Sequence, residues 1–580
     1  MHRCSQLLRI SALALLAGWA IAAEVPGPIA PGIVELPKFE VVDSRVLPPP
    51  EKWHYAAIPG FEVLSSISAR ETKRFVSDFL LLQSAVGALM PGLNRPSVAV
   101  PTSLILCGRG QGFDRFLPAD RGDDTYRTNS LFFDDPERGA IIVDFVLSEL
   151  MLADNTSIEA DPYRSFYKEY FRHLIRQQMG RRPPAWFEEG LVQMFSAIDF
   201  NKKWITFAQI DGKETDFNQL LSQHGLMPLS EMLAREVVMA DTFWSAQCYA
   251  FVHLCLYGRG QKYQAGFLRY LGRLGSELPS EDLFIACFKV SYKEMGLELR
   301  GYLDFTDHKY IQLTAKKGQA LPDPPPVALR DATEAESGRI VGEALRLGGH
   351  GNAAHLALIA PYIRGSREPE LLAALGLDER VAGHDDRARK FLEAATQAAA
   401  RRPRAYLELA RLRHTAVTQA VASRADQRLS EAQVADVLEP LAAARSLPPP
   451  MAEIFELAAE VWSRSARPPG REDLQLINQG VNYFPRRPLL LVRAAELNLR
   501  HGDPEDARKI IDHGLRVMGN SPARLALEGL SKQLPPESAT ALLAPQSPSP
   551  PPSPTRTTTP TATPTPSGAD LLRAPLKQIR

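Results

Sequence analysis

The sequence FYKEYFRHLIRQQMGRRPPAWFEEGLVQMF, residues 166–195, carries the strongest indication of fold and chemistry in this 580-residue chain. Apolar residues recur in it at helical spacing, and the break at Gly180 and the following prolines predicts two successive helices. The first helix is predicted to begin at Asp161 and Pro162, an N-cap aspartate followed by a proline in the first turn. The second is predicted to begin near Pro184. Ionisable side chains on both helices make this pair the candidate site.

The ionisable residues of this helix pair can be compared with the requirements of a zinc-peptidase site. Such a site needs His-Glu-x-x-His on one helix, because the i, i+4 spacing aims both imidazoles at one metal while the intervening Glu polarises the metal-bound water. A Glu on the next helix completes three protein ligands and leaves one position open for water or substrate. This chain has Lys-Glu-x-x-Arg on the first helix and Glu-Glu on the second.

The stretch resembles the core of the gluzincins, the peptidase MA-like zinc metallopeptidases. It is most similar to a domain-of-unknown-function branch whose first helix reads like HEYxHxLL and whose second reads like PxWxxEGLAEYF. A later segment, FWSAQCYAFVH at residues 243–253, resembles the YAQSWALVHYL-like helix of that branch. The resemblance covers residues 53–314. It implies a gluzincin domain with a small mixed sheet and a lobe of helices. The predicted fold class is therefore α+β, with this domain followed by an all-α helical-repeat domain that is suggested by the spacings described below.

The resemblance assigns a role to four positions. Lys168 and Arg172 stand where the two histidine ligands would be, Glu169 matches the catalytic glutamate, and Glu189 matches the third ligand. Neither an ammonium nor a guanidinium group offers zinc a lone pair near neutral pH. We therefore expect no zinc cofactor, vestigial ligand positions at Lys168, Arg172 and Glu189, and no working peptidase.

Two interpretations remain open for the cations at these positions. Lys168 and Arg172 either form internal ion pairs with Glu169 and Glu189, where they replace the charge of the metal, or lie on a solvated helix face. A surface pair would contribute less than about 1 kcal/mol. Glu188 is predicted to be a solvent-facing neighbour of Glu189.

A shifted metal site is an alternative to a metal-free one. Glu169 and His173 are also four residues apart, and with Glu189 they would form a Glu-His-Glu set. That pair lies about 100° around the helix from the side that faces the metal in the family. A structural role is the competing interpretation for His173, as it is for His253 on an apolar helix.

The composition excludes several functional classes. Lys plus Arg equals Asp plus Glu at 67 each, so no overall charge attracts nucleic acid or an anionic membrane. The sequence has no Walker motif, dinucleotide fingerprint or GxSxG nucleophile elbow. The four cysteines of the mature chain are predicted to be buried hydrophobic residues and not a disulfide framework: Cys107, Cys248, Cys255 and Cys287.

The N-terminus predicts export. An apolar run at residues 10–23 follows basic residues, and Ala20, Ile21 and Ala22 fit a small-x-small cleavage pattern. The run is shorter than the roughly 20 residues that span a bilayer, so a cleaved signal peptide is favoured over an uncleaved anchor. We therefore expect a periplasmic or secreted protein without a transmembrane segment.

Local patterns predict the elements that precede the helix pair. A capping box at Ser68 and Glu71 predicts the start of a helix. Alternating or β-branched residues predict strands at 61–64 and 97–106 and a hairpin of 131–133 with 140–145.

Composition divides the chain into six segments. The LPDPPP sequence at 321–326 predicts a stiff linker, and the Pro/Ser/Thr-rich end predicts disorder, with a tether or glycosylated stalk as alternatives. The segments are a signal peptide (1–22), an extended Pro-rich lead-in (23–52), a degenerate gluzincin-like domain (53–314), a Pro-rich linker (315–332), tetratricopeptide-like helical repeats (333–534) and a disordered tail (535–580).

Small residues at repeated spacings suggest helical repeats in the second half. Two sets match most of the spacing of a tetratricopeptide helix pair, in which small residues let two antiparallel helices touch. An irregular helical bundle is the alternative. The sets are Leu375, Gly383, Ala388, Leu392 and Ala395, and Ala495, Gly502, Ala507, Ile511 and Gly514.

Together these features suggest a binding or scaffold protein that engages a protein or peptide through the old cleft and the helical repeats. A hydrolase of another kind, with Glu169 or Glu189 as general base, is the alternative. A structural envelope component tethered by its Pro-rich tail is a third interpretation. The oligomeric state is not specified by the sequence.

Overall fold

The computed structural model describes residues 34–38, 47–89, 102–108, 112–120, 129–146, 162–178, 183–208, 225–236, 242–274, 277–303, 311–315, 320–422 and 427–535. The predicted signal peptide, most of the lead-in, residues 97–101 of the second predicted strand and the tail beyond residue 535 lie outside these ranges. Within them, no helix is both long and apolar enough to cross a membrane.

The main sheet is mixed and has the strand order β4-β5-β3-β2-β1-β9. Strands β2, β3 and β5 run parallel to one another, whereas β4, β1 and β9 pair antiparallel with their neighbours. The strands are β1 (His54–Ile58), β2 (Phe61–Ser65), β3 (Thr102–Cys107), β4 (Ser130–Phe133), β5 (Ala140–Asp144) and β9 (Arg330–Asp331). The first predicted strand and the predicted hairpin are confirmed.

Eight α-helices lie in the first half of the chain, which we call the sheet lobe. Their bounds, within the described residues, are α1 (Ala69–Leu89), α2 (Pro162–Gln178), α3 (Ala185–Ser196), α4 (Leu229–Ala234), α5 (Thr242–Tyr257), α6 (Gln264–Arg273), α7 (Glu281–Phe288) and α8 (Tyr292–Leu303).

The capping box that predicts the start of α1 is present. The backbone N–H of Glu71 donates to Ser68 Oγ, and the backbone N–H of Ser68 donates to the carboxylate of Glu71, each over 3.3 Å. Two otherwise unpaired donors at the helix start are thereby satisfied.

A second, small sheet was not predicted. It consists of β6 (Asp199–Phe200), β7 (Trp204–Phe207) and β8 (Ile311–Thr314), all paired antiparallel. Strands of two to four residues are too short to show a recognisable alternation, and β8 lies about a hundred residues from its partner β7.

The second half of the chain, the helical lobe, is all-α in its described residues after β9. Its helices are α9 (Glu334–Leu347), α10 (Gly351–Ile363), α11 (Pro369–Val381), α12 (Asp385–Gln397), α13 (Pro403–Val421), α14 (Glu431–Arg445), α15 (Ala452–Ser463), α16 (Arg471–Tyr483), α17 (Pro488–His501), α18 (Pro504–Val517) and α19 (Pro522–Ser531). Together with the mixed sheet, they make the molecule an α+β protein.

Helical hairpins form at both sites where the small-residue spacing suggested them. Leu375 on α11 belongs to the same apolar cluster as Ala388 and Leu392 on α12, and all three are buried. Gly383 joins the two helices at a φ of +80°, where a side chain would be strained. The second set falls on α17 and α18. Whether these pairs belong to a tetratricopeptide-like repeat family stays a prediction.

The main sheet is covered on both faces. Val63 and Leu106 point into a core shared with α1, α2 and α3. The opposite face, represented by Leu64 and Ile105, packs against Ile340 of α9. One hydrophobic core therefore includes residues on both sides of the predicted linker 315–332, whose last residues form β9 and extend the sheet.

A buried group of charges also joins the two lobes. Arg138 and Arg339 both donate to the carboxylate of Glu62, over 2.7 and 2.6 Å. Arg402, which is 2% exposed, donates to Glu343, and over 2.8 Å to Glu137. We call this group the interlobe cluster: Glu62, Glu137, Arg138, Arg339, Glu343 and Arg402.

Loss of the Glu62 charge should destabilise the protein in acid. Burial raises the pKa of Glu62, but Arg339 and Arg138 outweigh burial and lower this pKa to about 2. The stabilisation is therefore complete above the unfolded pKa near 4.5 and is lost as the pH falls towards 2. It amounts to about 3 kcal/mol at neutral pH. Between pH 6 and pH 3.5 the urea midpoint of wild type should fall more steeply than that of Glu62→Gln.

Glu431→Gln is the control for this prediction, because the pair of Glu431 with Arg467 is exposed. This variant should keep the wild-type dependence on pH. If the urea midpoints of wild type and Glu62→Gln depended on pH equally, Glu62 would have the same pKa in the folded and unfolded states. That result would contradict the prediction.

Candidate functional site

Helices α2 and α3, which contain residues 166–195 apart from the turn between them, pack against each other and hold the candidate site. Gly190 on α3 lets this helix lie close to α5. A Cβ at position 190 would be 2.5 Å from Val252 Cγ2 and 2.8 Å from the carbonyl oxygen of Cys248. Because Gly190 has no side chain, α3 can pack closely against α5. This packing positions Glu188 and Glu189, the two residues before Gly190.

Arg172 is surrounded by three glutamates. Its guanidinium nitrogens lie 3.3 Å from a carboxylate oxygen of Glu169, 3.3 Å from Glu188 and 3.0 Å from Glu189. Gln193, one turn after Glu189, donates to the other oxygen of Glu189 over 2.8 Å. Arg172 thus links the two carboxylates that the resemblance assigns to a metal site, from the position assigned to the second histidine.

Arg176 extends this group by one turn of α2. It donates to both oxygens of Glu188, over 3.0 and 2.8 Å, and to Asp134 at the end of β4 over 2.8 Å. The prediction that Glu188 faces solvent is wrong. Glu188 is 1% exposed. It can be buried because the guanidinium groups of Arg172 and Arg176 pair with its carboxylate. We call these six residues the site cluster: Asp134, Glu169, Arg172, Arg176, Glu188 and Glu189.

Lys168 is placed differently from Arg172. It lies on α2 and is half-buried, and among the described residues no carboxylate lies within 4.0 Å of its ammonium group. The structure therefore brings together Glu169, Arg172 and Glu189 and leaves Lys168 outside the site cluster.

The charges of the site cluster hold one another in place. Burial lowers the pKa of the Arg172 guanidinium, but Glu169, Glu189 and Glu188 more than offset this effect, so the pKa lies above its ordinary value. The group keeps its charge over the whole physiological range. Four carboxylates against two guanidinium groups leave a formal surplus of negative charge.

His173 lies in an apolar environment away from the site cluster. Its ring packs edge-on against Phe61 and Phe132, and its Nε2 is 3.3 Å from Thr102 Oγ1. Burial lowers the pKa of His173 to about 3, so the imidazole is neutral at pH 7. Among the described residues, His173 forms no hydrogen bond or ion pair with Glu169 or Glu189.

The other singled-out residues are buried in the sheet lobe. His253 Nδ1 is 2.7 Å from the hydroxyl of Tyr302, and its ring stacks on that tyrosine. Cys107, Cys248, Cys255 and Cys287 are buried free thiols, as the sequence predicts.

The donor set of the site cluster does not fit a zinc ion. Glu169 and Glu189 accept hydrogen bonds from Arg172, and neither Lys168 nor Arg172 supplies a neutral nitrogen ligand. Within the described residues, His, Cys, Asp and Glu side chains form no group of three or more arranged to hold a metal.

Arg176 and Asp134 were not predicted as part of the site. Arg176 follows Arg172 by four residues and shares its helix face, so extending the helical period by one turn would have included it. Asp134 is separated from Arg176 by 42 residues, and no local pattern connects them.

Comparison with known proteins adds no identification. No protein-family model matches the chain, and no curated protein matches it significantly.

Proposed function

We propose that this chain is an exported, degenerate metallopeptidase-like protein that binds a protein or peptide without hydrolysing it. One observation carries the proposal. The guanidinium of Arg172 is held by Glu169, Glu188 and Glu189, so a cation of the chain itself takes the place that the resemblance gives to zinc. A Glu whose carboxylate is engaged by an arginine is a poor general base for activating water.

The proposal includes the finer assignments that the resemblance implies. The sheet lobe would be a gluzincin-type domain, and the helical lobe a tetratricopeptide-like array that supplies the binding surface. The pairs α11–α12 and α17–α18 support the array, and the mixed sheet with α2 and α3 supports the gluzincin type. The apolar run at residues 10–23 supports a periplasmic or secreted location.

Restoring the two histidines should create a metal site. In Lys168→His/Arg172→His, imidazoles four residues apart would share one face of α2, and position 172 contacts Glu189, so we expect uptake of one zinc per chain. Wild type should contain no stoichiometric zinc. Metal content of the purified mature proteins, measured by mass spectrometry, checks both expectations.

Addition of Glu189→Gln to this double variant is the matched control and should lower zinc affinity by at least about tenfold. Stoichiometric zinc in wild type would contradict the proposal. The metal ligands would then be expected at the alternative positions Glu169, His173 and Glu189.

The binding role needs a separate measurement. Peptides selected from a display library on immobilised wild type should bind it in solution and remain intact after prolonged incubation. Cleavage by metal-free wild type would support a hydrolase that uses Glu169 or Glu189. A library that yields no binding peptide would contradict the binding role.

A further inference from the structure

Ionisable side chains also meet where α10, α11 and α12 join, outside the site cluster and the interlobe cluster. Asp378 and Glu379 follow each other near the end of α11, and their side chains are 9% and 0% exposed. His355 of α10 places its Nδ1 2.6 Å from Oδ2 of Asp378. His384 before α12 and Arg387 within it lie 2.7 and 2.9 Å from Oε2 of Glu379. We call these five residues the hairpin cluster.

The two carboxylates of the hairpin cluster are compensated differently. Glu379 has Arg387, whose guanidinium group stays charged at every physiological pH. Asp378 has His355, and among the described residues no lysine or arginine nitrogen lies within 4.0 Å of its carboxylate. Histidine is the side chain whose charge ordinarily changes near neutral pH. The compensation of one nearly buried carboxylate therefore depends on pH.

Charges on α11 and α12 act on His355. The hydrogen bond to Asp378, together with the negative charges of Asp378 and Glu379, outweighs burial and the positive charge of Arg387. The pKa of His355 is therefore raised above its ordinary value of 6.5. With His384 left aside, the protonated cluster balances two carboxylates against two cations, and deprotonation of His355 leaves one carboxylate uncompensated.

The charged side chains of the other helices packed on α10 and α11 have partners elsewhere. On α13, Glu408 pairs with Arg380 and Arg411. On α9, Glu334 pairs with Arg364, Glu336 with Arg330, Arg339 with Glu62 and Glu343 with Arg402, while Arg346 acts on Glu343. The charge of His355 is therefore governed by α11 and α12.

We propose that the hairpin cluster is a pH-sensitive joint of the helical lobe, in which protonated His355 holds α10 against α11. Because the folded protein favours the protonated imidazole, this stabilisation is complete below the unfolded pKa near 6.5 and is lost as the pH rises through the higher folded pKa. The joint does not rest on the proposed function. On that function, loosening of α10 and α11 would also lower partner affinity at alkaline pH.

Hydrogen–deuterium exchange of the full mature chain at pH 6 and pH 8.5 tests the joint, with protection factors corrected for the intrinsic pH dependence of exchange. Glu62 is charged at both values, so the interlobe cluster is unchanged. In wild type, protection of α10 and α11 should fall at least about threefold at pH 8.5, while that of α17 and α18 should stay constant. In His355→Gln, protection of α10 and α11 should be low at both values.

His384→Gln is the matched control, because Glu379 keeps Arg387, and it should retain the wild-type response to pH. His355→Lys places a charge that persists at pH 8.5 on the same helix position and should keep protection high at both values. Constant protection of α10 and α11 in wild type, or an equal fall in His355→Lys, would overturn the proposal. None of these outcomes involves a ligand, zinc or peptide cleavage, so the proposed function is judged separately.

Discussion

Arg172→Met should lower the free energy of unfolding by about 3–5 kcal/mol, because removal of one partner leaves buried charges without compensation. Methionine approximates the length of arginine but cannot donate. Glu169 and Glu189 would then lack their guanidinium partner, while Glu188 would keep Arg176. Urea denaturation at pH 7 measures the loss.

Lys168→Met is the matched control on the same helix. No carboxylate of the described residues lies within 4.0 Å of Lys168, so this variant should change stability by less than about 1 kcal/mol. Adding Glu189→Gln to Arg172→Met should recover part of the loss, because one of the uncompensated charges is removed. Equal losses for Arg172→Met and Lys168→Met would refute an internal role for Arg172.

Arg402→Met should produce a loss of similar size, about 3–5 kcal/mol, and should also loosen the contact between the lobes. Arg402 lies just before α13 and binds Glu137 of the sheet lobe and Glu343 of α9, both buried. Two carboxylates would therefore lose a shared partner. Urea denaturation measures the loss, and limited proteolysis of residues 315–332 reports on the contact.

Arg404→Met serves as the control two residues away. Its backbone N–H still donates to Glu137, and the variant loses little beyond a 3.8 Å pair with Glu453. It should cost less than about 1 kcal/mol and leave proteolysis unchanged. If Arg402→Met unfolds at the wild-type urea concentration, the interlobe cluster does not stabilise the fold.

Local signals predict most of the elements around the site. Ser68 and Glu71 mark the start of α1 because a capping box uses adjacent turns of the chain. The break after Gln178 separates α2 from α3, and Gly383 separates α11 from α12. Such breaks are predictable because glycine and proline restrict or free the backbone conformation at their own positions.

Long-range features are not predicted. Glu62 and Arg339 lie 277 positions apart, and Glu137 and Arg402 lie 265 apart, so neither pair has a periodicity that reveals it. The burial of Glu188 escapes the sequence for a related reason. A charged residue with no recognised partner is predicted to face solvent. The partner of Glu188 is Arg176, which was not predicted as part of the site.

The covering of the main sheet by α9 has a consequence for the order in which the protein can fold. Strands β2, β3 and β5 leave the ribosome long before Ile340 and Leu345 exist, yet these residues cover one face of the sheet. Until α9 has been synthesised, Leu64, Ile105 and Ile142 form an apolar surface that is exposed to solvent. Chaperones recognise surfaces of this kind. A fragment that ends before α9 keeps this surface permanently and is expected to aggregate. The hydrophobic core of the first half of the chain is therefore complete only when α9, from the second half, packs on the sheet.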